Sequence, residues 1–459
     1  MHDTHGSRVM WTDPKRYLWS AALVMPLLPF VAVVLHASTG RGVWLWLGPI
    51  VILGVVPIVD LVTGSDPSSP PDEALAHLEQ DRYYRWVIYA FLPLQYAGFL
   101  VAMAVIARGN LLVSERIGLA VTVGFIGGLG INAAHELGHK RQESERWLAR
   151  VALAQSAYGH FYVEHNRGHH VRVATPDDPA SARLGESFYA FWPRTVAGSF
   201  LSAWHLEERR LARGGRGPWR WGNEVVAGWL LTLGLYAVVI AWLGLTVVPY
   251  LLLQALVGLT LLEAVNYLEH YGLRRQRVGT GERERWERVE PRHSWNSNHI
   301  TTNVLLYHLQ RHSDHHAAPT RRYQALRDDP SAPALPTGYG GMILLALVPP
   351  LWRAVMDRRV VAHYNGDIRC ANLSPRLQRA YAGVASPSPW EPSERQAAAG
   401  RPGPGGDRLA CPGCGYVYDV RAGAPREGFA PGTAWGSVPD DWVCPDCGVR
   451  DKADFVAVT

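Results

Sequence analysis

Apolar residues in this chain of 459 residues are concentrated in long blocks that contain no Asp, Glu, Lys or Arg. Six such blocks occupy residues 18–37, 43–59, 86–107, 117–134, 225–243 and 247–262. A helix that crosses a bilayer needs about 20 mainly apolar residues, and each block is at or near that length. The mean hydropathy of the whole chain is close to zero and hides them. The pattern therefore predicts six transmembrane helices.

The polar segments between the blocks predict the topology. The links at 38–42, 108–116 and 244–246 are short and fall on one face, whereas all longer segments fall on the other. Between residues 140 and 222 there are 13 Lys and Arg against 8 Asp and Glu, which places this face in the cytoplasm by the positive-inside rule. An apolar stretch at 338–352 is short and contains two prolines, so we expect an interfacial or buried helix there.

Histidines gather in four clusters on the face that carries the long segments. The clustered residues are His135, His139, His165, His169, His170, His270, His312, His315 and His316. Most lie three or four residues apart, a spacing that puts side chains on one face of a helix, and imidazole suits iron, zinc and copper. Nine imidazoles are too many for one ion, so the clusters predict two. His308, four residues before His312, is predicted not to be a ligand.

The first cluster has a competing interpretation. His135-Glu-Leu-Gly-His139 matches the zinc metalloprotease motif, with Glu136 as general base. Such a site needs only one further protein ligand. It would leave the other clusters unexplained, so we favour the two-ion interpretation.

Carboxylates are expected near these clusters because neutral imidazoles do not offset the charge of two metal cations. Candidates for hydrogen bonds to ligand N–H groups are Glu136, Glu164, Glu263, Glu269 and Asp314. Glu263 is the most informative, because it interrupts an apolar span, where a carboxylate is a functional hypothesis by default. For Glu136 a surface charge is an equal alternative.

The C-terminal residues form a second candidate metal site. Two CxxC pairs supply Cys411, Cys414, Cys444 and Cys447, and four thiolates at tetrahedral geometry bind zinc or iron. Cys370 lies outside this pattern. A stretch rich in Pro, Gly and Ser at 386–408 predicts a flexible linker between a membrane domain at 1–385 and a small domain at 409–459.

Two family resemblances follow from these motifs. The histidine motifs resemble those of the membrane alkane monooxygenases of the histidine-box di-iron superfamily, over about residues 15–380; they read His-Glu-Leu-Gly-His-Lys, Glu-His-Asn-Arg-Gly-His-His, Asn-Tyr-Leu-Glu-His-Tyr-Gly and Leu-Gln-Arg-His-Ser-Asp-His-His. The cysteine domain, with Tyr416, Tyr418, Trp442 and Phe455 around its CxxC pairs, resembles rubredoxin more than a zinc ribbon.

These resemblances imply both a fold and a reaction. The fold would be an all-α integral membrane bundle of six transmembrane helices, with a cytoplasmic histidine-rich cap and a small β-rich rubredoxin domain, in a bacterial-type inner membrane. The reaction would be terminal hydroxylation of medium- or long-chain n-alkanes from the bilayer, with O2, at a non-haem di-iron site held by the nine histidines. The one-iron rubredoxin would supply electrons and would be reloaded by an NAD(P)H-dependent rubredoxin reductase. No nucleic-acid partner is expected.

Several alternatives stay open on the sequence alone. A fatty-acid desaturase or another lipid hydroxylase could carry similar histidine boxes, and a membrane electron-transfer or metal-sensing protein would use the metals without a substrate. The preferred chain length, the oligomeric state, any ligand bridging the irons, and whether the rubredoxin serves its own chain are also open. Residues 407–459 carry eight acidic and five basic residues, so we expect this domain to dock transiently on the basic cap.

Overall fold

The computed structural model describes residues 11–66, 68–219, 222–279, 284–382 and 406–458. Its helices, in chain order, are α1 (Leu18–Thr39), α2 (Gly42–Thr63), α3 (Asp72–Gln80), α4 (Arg82–Ala107), α5 (Val113–Gly138), α6 (Glu143–Ala154), α7 (161–172), α8 (Phe188–Arg213), α9 (Glu224–Leu243), α10 (Leu245–His270), α11 (Ile300–Leu305), α12 (His312–Ala317), α13 (Tyr339–Ala346), α14 (Pro349–His363) and α15 (Pro375–Tyr381). Within the described residues, six of these helices, α1, α2, α4, α5, α9 and α10, are long and apolar enough to cross a membrane, which confirms the predicted number of spans. Their outward residues include Val62, Leu233 and Leu252, whose exposed surfaces suit contact with lipid.

Helix α5 is the central helix of the bundle and is buried on nearly all sides. Glycines allow α10 to approach it closely. A Cβ atom at Gly124 would lie 2.7 Å from the Gln254 carbonyl oxygen, and one at Gly128 would lie 2.7 Å from Leu261. Small residues are favoured at such contacts because lipid provides no hydrophobic drive for helix association, so close packing must provide it. This packing fixes the position of the C-terminal end of α5, where His135 and His139 lie.

A chain of amides ties the spans together inside the bundle. Gln95 Nε2 donates to Gln155 Oε1 at 3.0 Å, and Gln254 Nε2 donates to the Gln155 carbonyl oxygen at 2.7 Å. The Tyr236 hydroxyl donates to the same carbonyl at 2.8 Å. These bonds link α4, α9 and α10 through Gln155, just after α6. The buried side-chain N–H groups of these three glutamines are thus satisfied where water is absent.

The long polar segments build a cap on one face of the bundle. The cap contains α3, α6 to α8 and α11 to α15, with a two-stranded hairpin of β1 (Arg277–Val278) and β2 (Arg285–Trp286). Lys15 and Arg311 both pair with Asp66, which joins the chain before α1 to the segment that carries α12. Helices α13 and α14 meet at an angle of 119°, so the apolar stretch at 338–352 forms no straight seventh span.

The C-terminal domain is a small three-stranded antiparallel sheet. Strand β3 (Arg408–Ala410) lies between β4 (Val417–Asp419) and β5 (Val456–Ala457). Buried aromatic side chains, among them Trp435 and Trp442, form its core, as expected for a small β-rich domain. The predicted linker at 386–408 lies largely outside the described residues, and its last residue begins β3.

We expect Gly124→Ala to destabilise the bundle, because the new methyl group would meet the backbone of α10 at 2.7 Å. Overpacking of this kind costs about 1–3 kcal/mol. The matched control is Gly234→Ala in α9, where a Cβ atom meets nothing within 4 Å. The thermal unfolding midpoint in detergent measures both variants. Equal midpoints would show that the α5–α10 contact tolerates a side chain.

Candidate metal centres

Four segments of the chain deliver the nine clustered histidines to the boundary between the bundle and the cap. His135 and His139 lie at the end of α5, three histidines lie on α7, His270 ends α10, and three lie on α12. All nine are buried and fall into two groups, in each of which the ligand atoms lie within 4.8 Å of one another. The first group is His135, His139, His165, His170 and His315, and the second is His169, His270, His312 and His316.

The first group converges through its Nε2 atoms. His135 Nε2 lies 2.9 Å from His315 Nε2, which lies 3.1 Å from His170 Nε2. His170 Nε2 in turn lies 3.0 Å from His165 Nε2. Two nitrogens bound at right angles to one ion at about 2.1 Å lie about 3 Å apart, so the spacing suits a single metal ion.

The second group has the same form with one histidine fewer. His312 Nε2 lies 3.1 Å from His270 Nε2 and 2.9 Å from His316 Nε2. The two groups adjoin each other, since the rings of His170 and His316 have centroids 4.4 Å apart. The arrangement therefore suits two neighbouring ions rather than two separate sites.

A π-helical turn in α7 decides how its histidines divide between the groups. The turn spans Glu164–His169, and the His170 N–H bonds to the His165 carbonyl oxygen five residues earlier. The sequence spacing suggested that His165 and His169 would share a face, as in an α-helix. In the wider turn it is His165 and His170 that align, while His169 points to the second group. Such turns are often found at functional sites.

The imidazoles are held in the neutral form that binds metals. Burial, and then the charges of neighbouring imidazoles, lower the pKa values of His165, His315 and His316 well below the usual range. Among the described residues, the buried Nε2 atoms of His139 and His169 have no hydrogen-bond partner. Unsatisfied imidazole nitrogens aimed at a common point fit a borderline cation such as iron or zinc.

Asp178 is a site residue that the sequence reasoning missed. Its Oδ2 lies 2.9 Å from His169 Nδ1, the nitrogen that faces away from the centre, and Ser181 also donates to it. Burial raises the pKa of Asp178, but His169 and Ser181 lower it more, so the net pKa lies below its usual value. A carboxylate here fixes the tautomer of the ring and raises its basicity. The spacing of Asp178 did not distinguish it from the exposed neighbour Asp177.

The five carboxylates proposed from the sequence have different surroundings. Glu269 Oε2 lies 3.3 Å from His312 Nε2. The other four make their described polar contacts elsewhere: Glu136 with Lys140, Glu164 with Arg172, Asp314 with Arg321, and Glu263 with Tyr158, Thr195 and Asn266.

Two further residues singled out in the sequence lie away from the centres. His308 Nδ1 donates to the Tyr323 carbonyl oxygen at 2.8 Å, and its Nε2 lies 3.2 Å from Lys15 Nζ. Cys370 lies near Asp367 at the surface of the cap. Neither belongs to a metal-binding group.

An apolar cavity ends at the histidines. Side chains of α1, α2, α5, α10 and α13 form its walls; they include Met25, Ile52, Val56, Leu129, Leu262, Val265 and Ile343. His135, His165 and His312 line it, together with Glu269. A predominantly apolar lining with a few polar groups at one end is typical of ligand-binding cavities.

The four cysteines of the C-terminal domain form a separate group. Cys411 Sγ lies 3.8 Å from Cys447 Sγ, and Cys414 Sγ lies 3.5 Å from Cys444 Sγ. Sulfurs bound tetrahedrally at about 2.3 Å lie nearly this far apart. Gly415 and Gly448 follow the two pairs with positive φ angles, and their N–H groups bond back to the carbonyls of Cys411 and Cys444.

The fold and the two centres define a membrane protein of the histidine-box class with its own rubredoxin domain. Residues 116–343 match the family described as fatty acid desaturase, and residues 408–455 match rubredoxin. The family resemblance inferred for the C-terminal domain is thereby confirmed.

Relatives of the whole membrane domain narrow the class further. The chain is 43% identical to alkane 1-monooxygenase 1 of Alcanivorax borkumensis over 371 residues, which covers 81% of this chain and 91% of that protein. It is 43% identical to alkane 1-monooxygenase of Ectopseudomonas oleovorans, over 83% and 94% of the two chains. With alkane 1-monooxygenase of Acinetobacter baylyi the identity is 44%, over 79% and 89%. The chain belongs to the alkane 1-monooxygenase family.

We expect Asp178→Asn to weaken iron binding by the second group about 10–100-fold, the usual effect of removing a partner of a ligand histidine. Asp177→Asn is the matched control, because its side chain is exposed and adjacent in sequence. Iron retained by the histidines after increasing chelator challenge measures the effect, with the cysteine-bound iron as internal standard. Identical retention curves for the two variants would show that Asp178 does not support a ligand.

Proposed function

We propose that this protein hydroxylates the terminal methyl group of n-alkanes, using two iron ions held by the nine histidines and electrons from its own rubredoxin domain. The observation that carries the proposal is the apolar cavity that ends at both histidine groups. A metal sensor or a simple electron carrier needs no such cavity. The names of the relatives favour an alkane over a fatty-acyl substrate.

The protein groups have distinct tasks in this reaction. Two bound iron ions would supply the activation of dioxygen. The side chains of Ile52, Leu129 and Val265 exclude water and bind the alkane along the cavity, so that its end lies beside His135 and His312. Holding the reacting methyl group at one place replaces a random encounter with a fixed geometry. Asp178 orients His169 through its outer nitrogen.

A short path from the rubredoxin domain to the first histidine group supports electron delivery within one chain. Gly448, directly after Cys447, packs against the cap: a Cβ atom there would lie 2.8 Å from the Asn166 carbonyl oxygen and 3.3 Å from His170 Cβ. His170 belongs to the first group. The absence of a side chain at Gly448 allows the cysteine loop to reach the histidine segment.

Charged contacts hold the domain in this position. Asp446, between the last two cysteines, pairs with Arg141 at 3.2 Å and Arg146 at 3.0 Å. Arg426 pairs with Glu224 at 2.7 Å on the cap side. The Asp446 contacts join an acidic residue of the domain to basic residues of the cap, in line with the expected attraction, whereas the Arg426–Glu224 pair has the opposite polarity.

The proposed function also includes a position in the cell and a source of electrons. The positive charge of the long segments supports a cytoplasmic position for the cap and the rubredoxin domain. An NAD(P)H-dependent rubredoxin reductase would then reload the domain from the cytoplasm, and the alkane would come from the bilayer.

Active protein should contain close to three irons per chain, two at the histidines and one at the cysteines. Metal analysis gives the count, and incubation with an n-alkane under ¹⁸O₂ should give the labelled 1-alkanol. An alkene product, or turnover of a fatty-acyl lipid in place of the alkane, would favour the desaturase or lipid-hydroxylase alternative. A preparation that holds only zinc at the histidines and still hydroxylates the alkane would refute the di-iron assignment.

Reversal of charge at the docking surface should slow electron delivery. In Arg426→Glu the new carboxylate faces Glu224, and like charges opposite each other at an interface oppose docking. We expect the reduced domain to be reoxidised at least about tenfold more slowly in the presence of alkane and O2. Stopped-flow absorption of the rubredoxin centre measures this rate.

Arg421→Glu is the matched control, since Arg421 belongs to the same domain and is exposed. Equal rates in the two variants would argue against the docked arrangement.

Removal of residues 386–459 tests whether the domain is the electron donor. Reductase-driven turnover should be lost, and added rubredoxin should restore it with strong salt sensitivity. Full turnover of the truncated protein with reductase alone would show that the domain is not the donor.

A further inference from the structure

The two histidine groups differ in the number of nitrogens that they offer. The first group has five histidines and the second has four. In the second group, His312 lines the cavity and contacts Glu269. Glu269 directly precedes His270 at the end of α10, is 2% exposed, and lines the cavity together with His312.

The carboxylate approaches the inner side of the second group. Glu269 Oε2 lies 3.3 Å from His312 Nε2, the same nitrogen that lies 3.1 Å from His270 Nε2 and 2.9 Å from His316 Nε2. Asp178 differs, because it contacts the outer nitrogen, Nδ1, of His169. Glu269 is thus aimed at the point where the Nε2 atoms converge.

The chemistry of a metal-bound imidazole decides what this contact can be. When Nε2 of His312 binds a cation, it carries no proton and cannot donate a hydrogen bond to Glu269. Two acceptors 3.3 Å apart in a buried site repel each other unless a cation lies within reach of both. The neutral imidazoles of the group also leave the charge of the cation without compensation, which a buried carboxylate would supply.

The second oxygen of Glu269 is held by a separate donor. The Tyr339 hydroxyl, at the start of α13, donates to Oε1 at 2.8 Å. This bond leaves Oε2 free to face the histidines and fixes the plane of the carboxylate. Tyr339 therefore acts as a positioning residue for Glu269.

We propose that Glu269 is the fifth protein ligand of the ion held by His169, His270, His312 and His316, and that it binds through Oε2 from the side of the substrate cavity. The proposal rests on the proposed function in one respect, that the histidines hold iron. In this assignment the two ions differ in their protein ligands: one has five nitrogens, and the other has four nitrogens and a carboxylate. The anionic ligand would lie between the second ion and the alkane.

Mössbauer spectroscopy of the full-length protein enriched in ⁵⁷Fe tests this assignment without relying on turnover. Wild-type protein should show two histidine-site signals beside that of the rubredoxin iron. In Glu269→Gln we expect one histidine-site signal to shift or disappear and the other to persist. The affinity for that iron should fall by more than about 100-fold, beyond the effect of losing only a partner of a ligand.

The matched control is Glu164→Gln. Glu164 is also buried and also directly precedes a clustered histidine, but it pairs with Arg172 instead of approaching a converging nitrogen. Both histidine-site signals should persist in this variant. Tyr339→Phe should keep both irons and broaden only the signal that Glu269→Gln changes.

The outcomes separate the two proposals. Unchanged signals and an unchanged iron count in Glu269→Gln would overturn the ligand assignment, whereas the absence of histidine-bound iron in active wild-type protein would overturn the proposed function. If Glu269→Gln does not fold, as judged by its rubredoxin spectrum and unfolding midpoint, Glu269→Asp decides. This shorter carboxylate should alter the same single signal, and an unaltered spectrum would refute the assignment.

Discussion

Imidazoles whose Nε2 atoms all point to one place repel one another unless a cation lies among them. The rest of this structure provides the rigidity that this arrangement requires. The nitrogens come from the ends of two membrane helices, a π-helical turn and one cap helix, and they meet at distances of 2.9–3.1 Å in both groups. Burial lowers the pKa values of His165, His315 and His316, and it also excludes water from the two groups.

The packing of the bundle gives the centres their position. The glycines of α5 bring α10 close, so that His135 and His270, at the ends of two neighbouring spans, lie on the same side of the membrane domain. The same two helices form walls of the apolar cavity. Since one helix contact shapes both the metal site and the substrate site, changes in that contact should affect metal binding and substrate binding together.

The docked rubredoxin domain brings its four cysteines close to the first histidine group. Its cysteine loop reaches the cap beside His170, while Arg426 and Asp446 anchor it through charged pairs. Charged contacts of this kind affect the orientation of the two partners and their association rate more than the binding affinity. Such an interface allows the domain to leave the cap again, which an extensive apolar interface would hinder.

The sequence by itself determined the elements and the chemistry of this protein. Six uncharged blocks specified the spans, because a bilayer requires apolar length. The nine histidines and four cysteines indicated two kinds of candidate metal site, because few other functions need them at these spacings. Only the tertiary structure decided how those residues combine. It paired His165 with His170 through a π turn, folded Asp178 against His169, and aimed Glu269 at the inner nitrogen of His312. The spacing of residues along the chain predicts which side chains share a face of a regular helix. It does not predict which side chain of another segment they will meet, because that depends on how the segments pack.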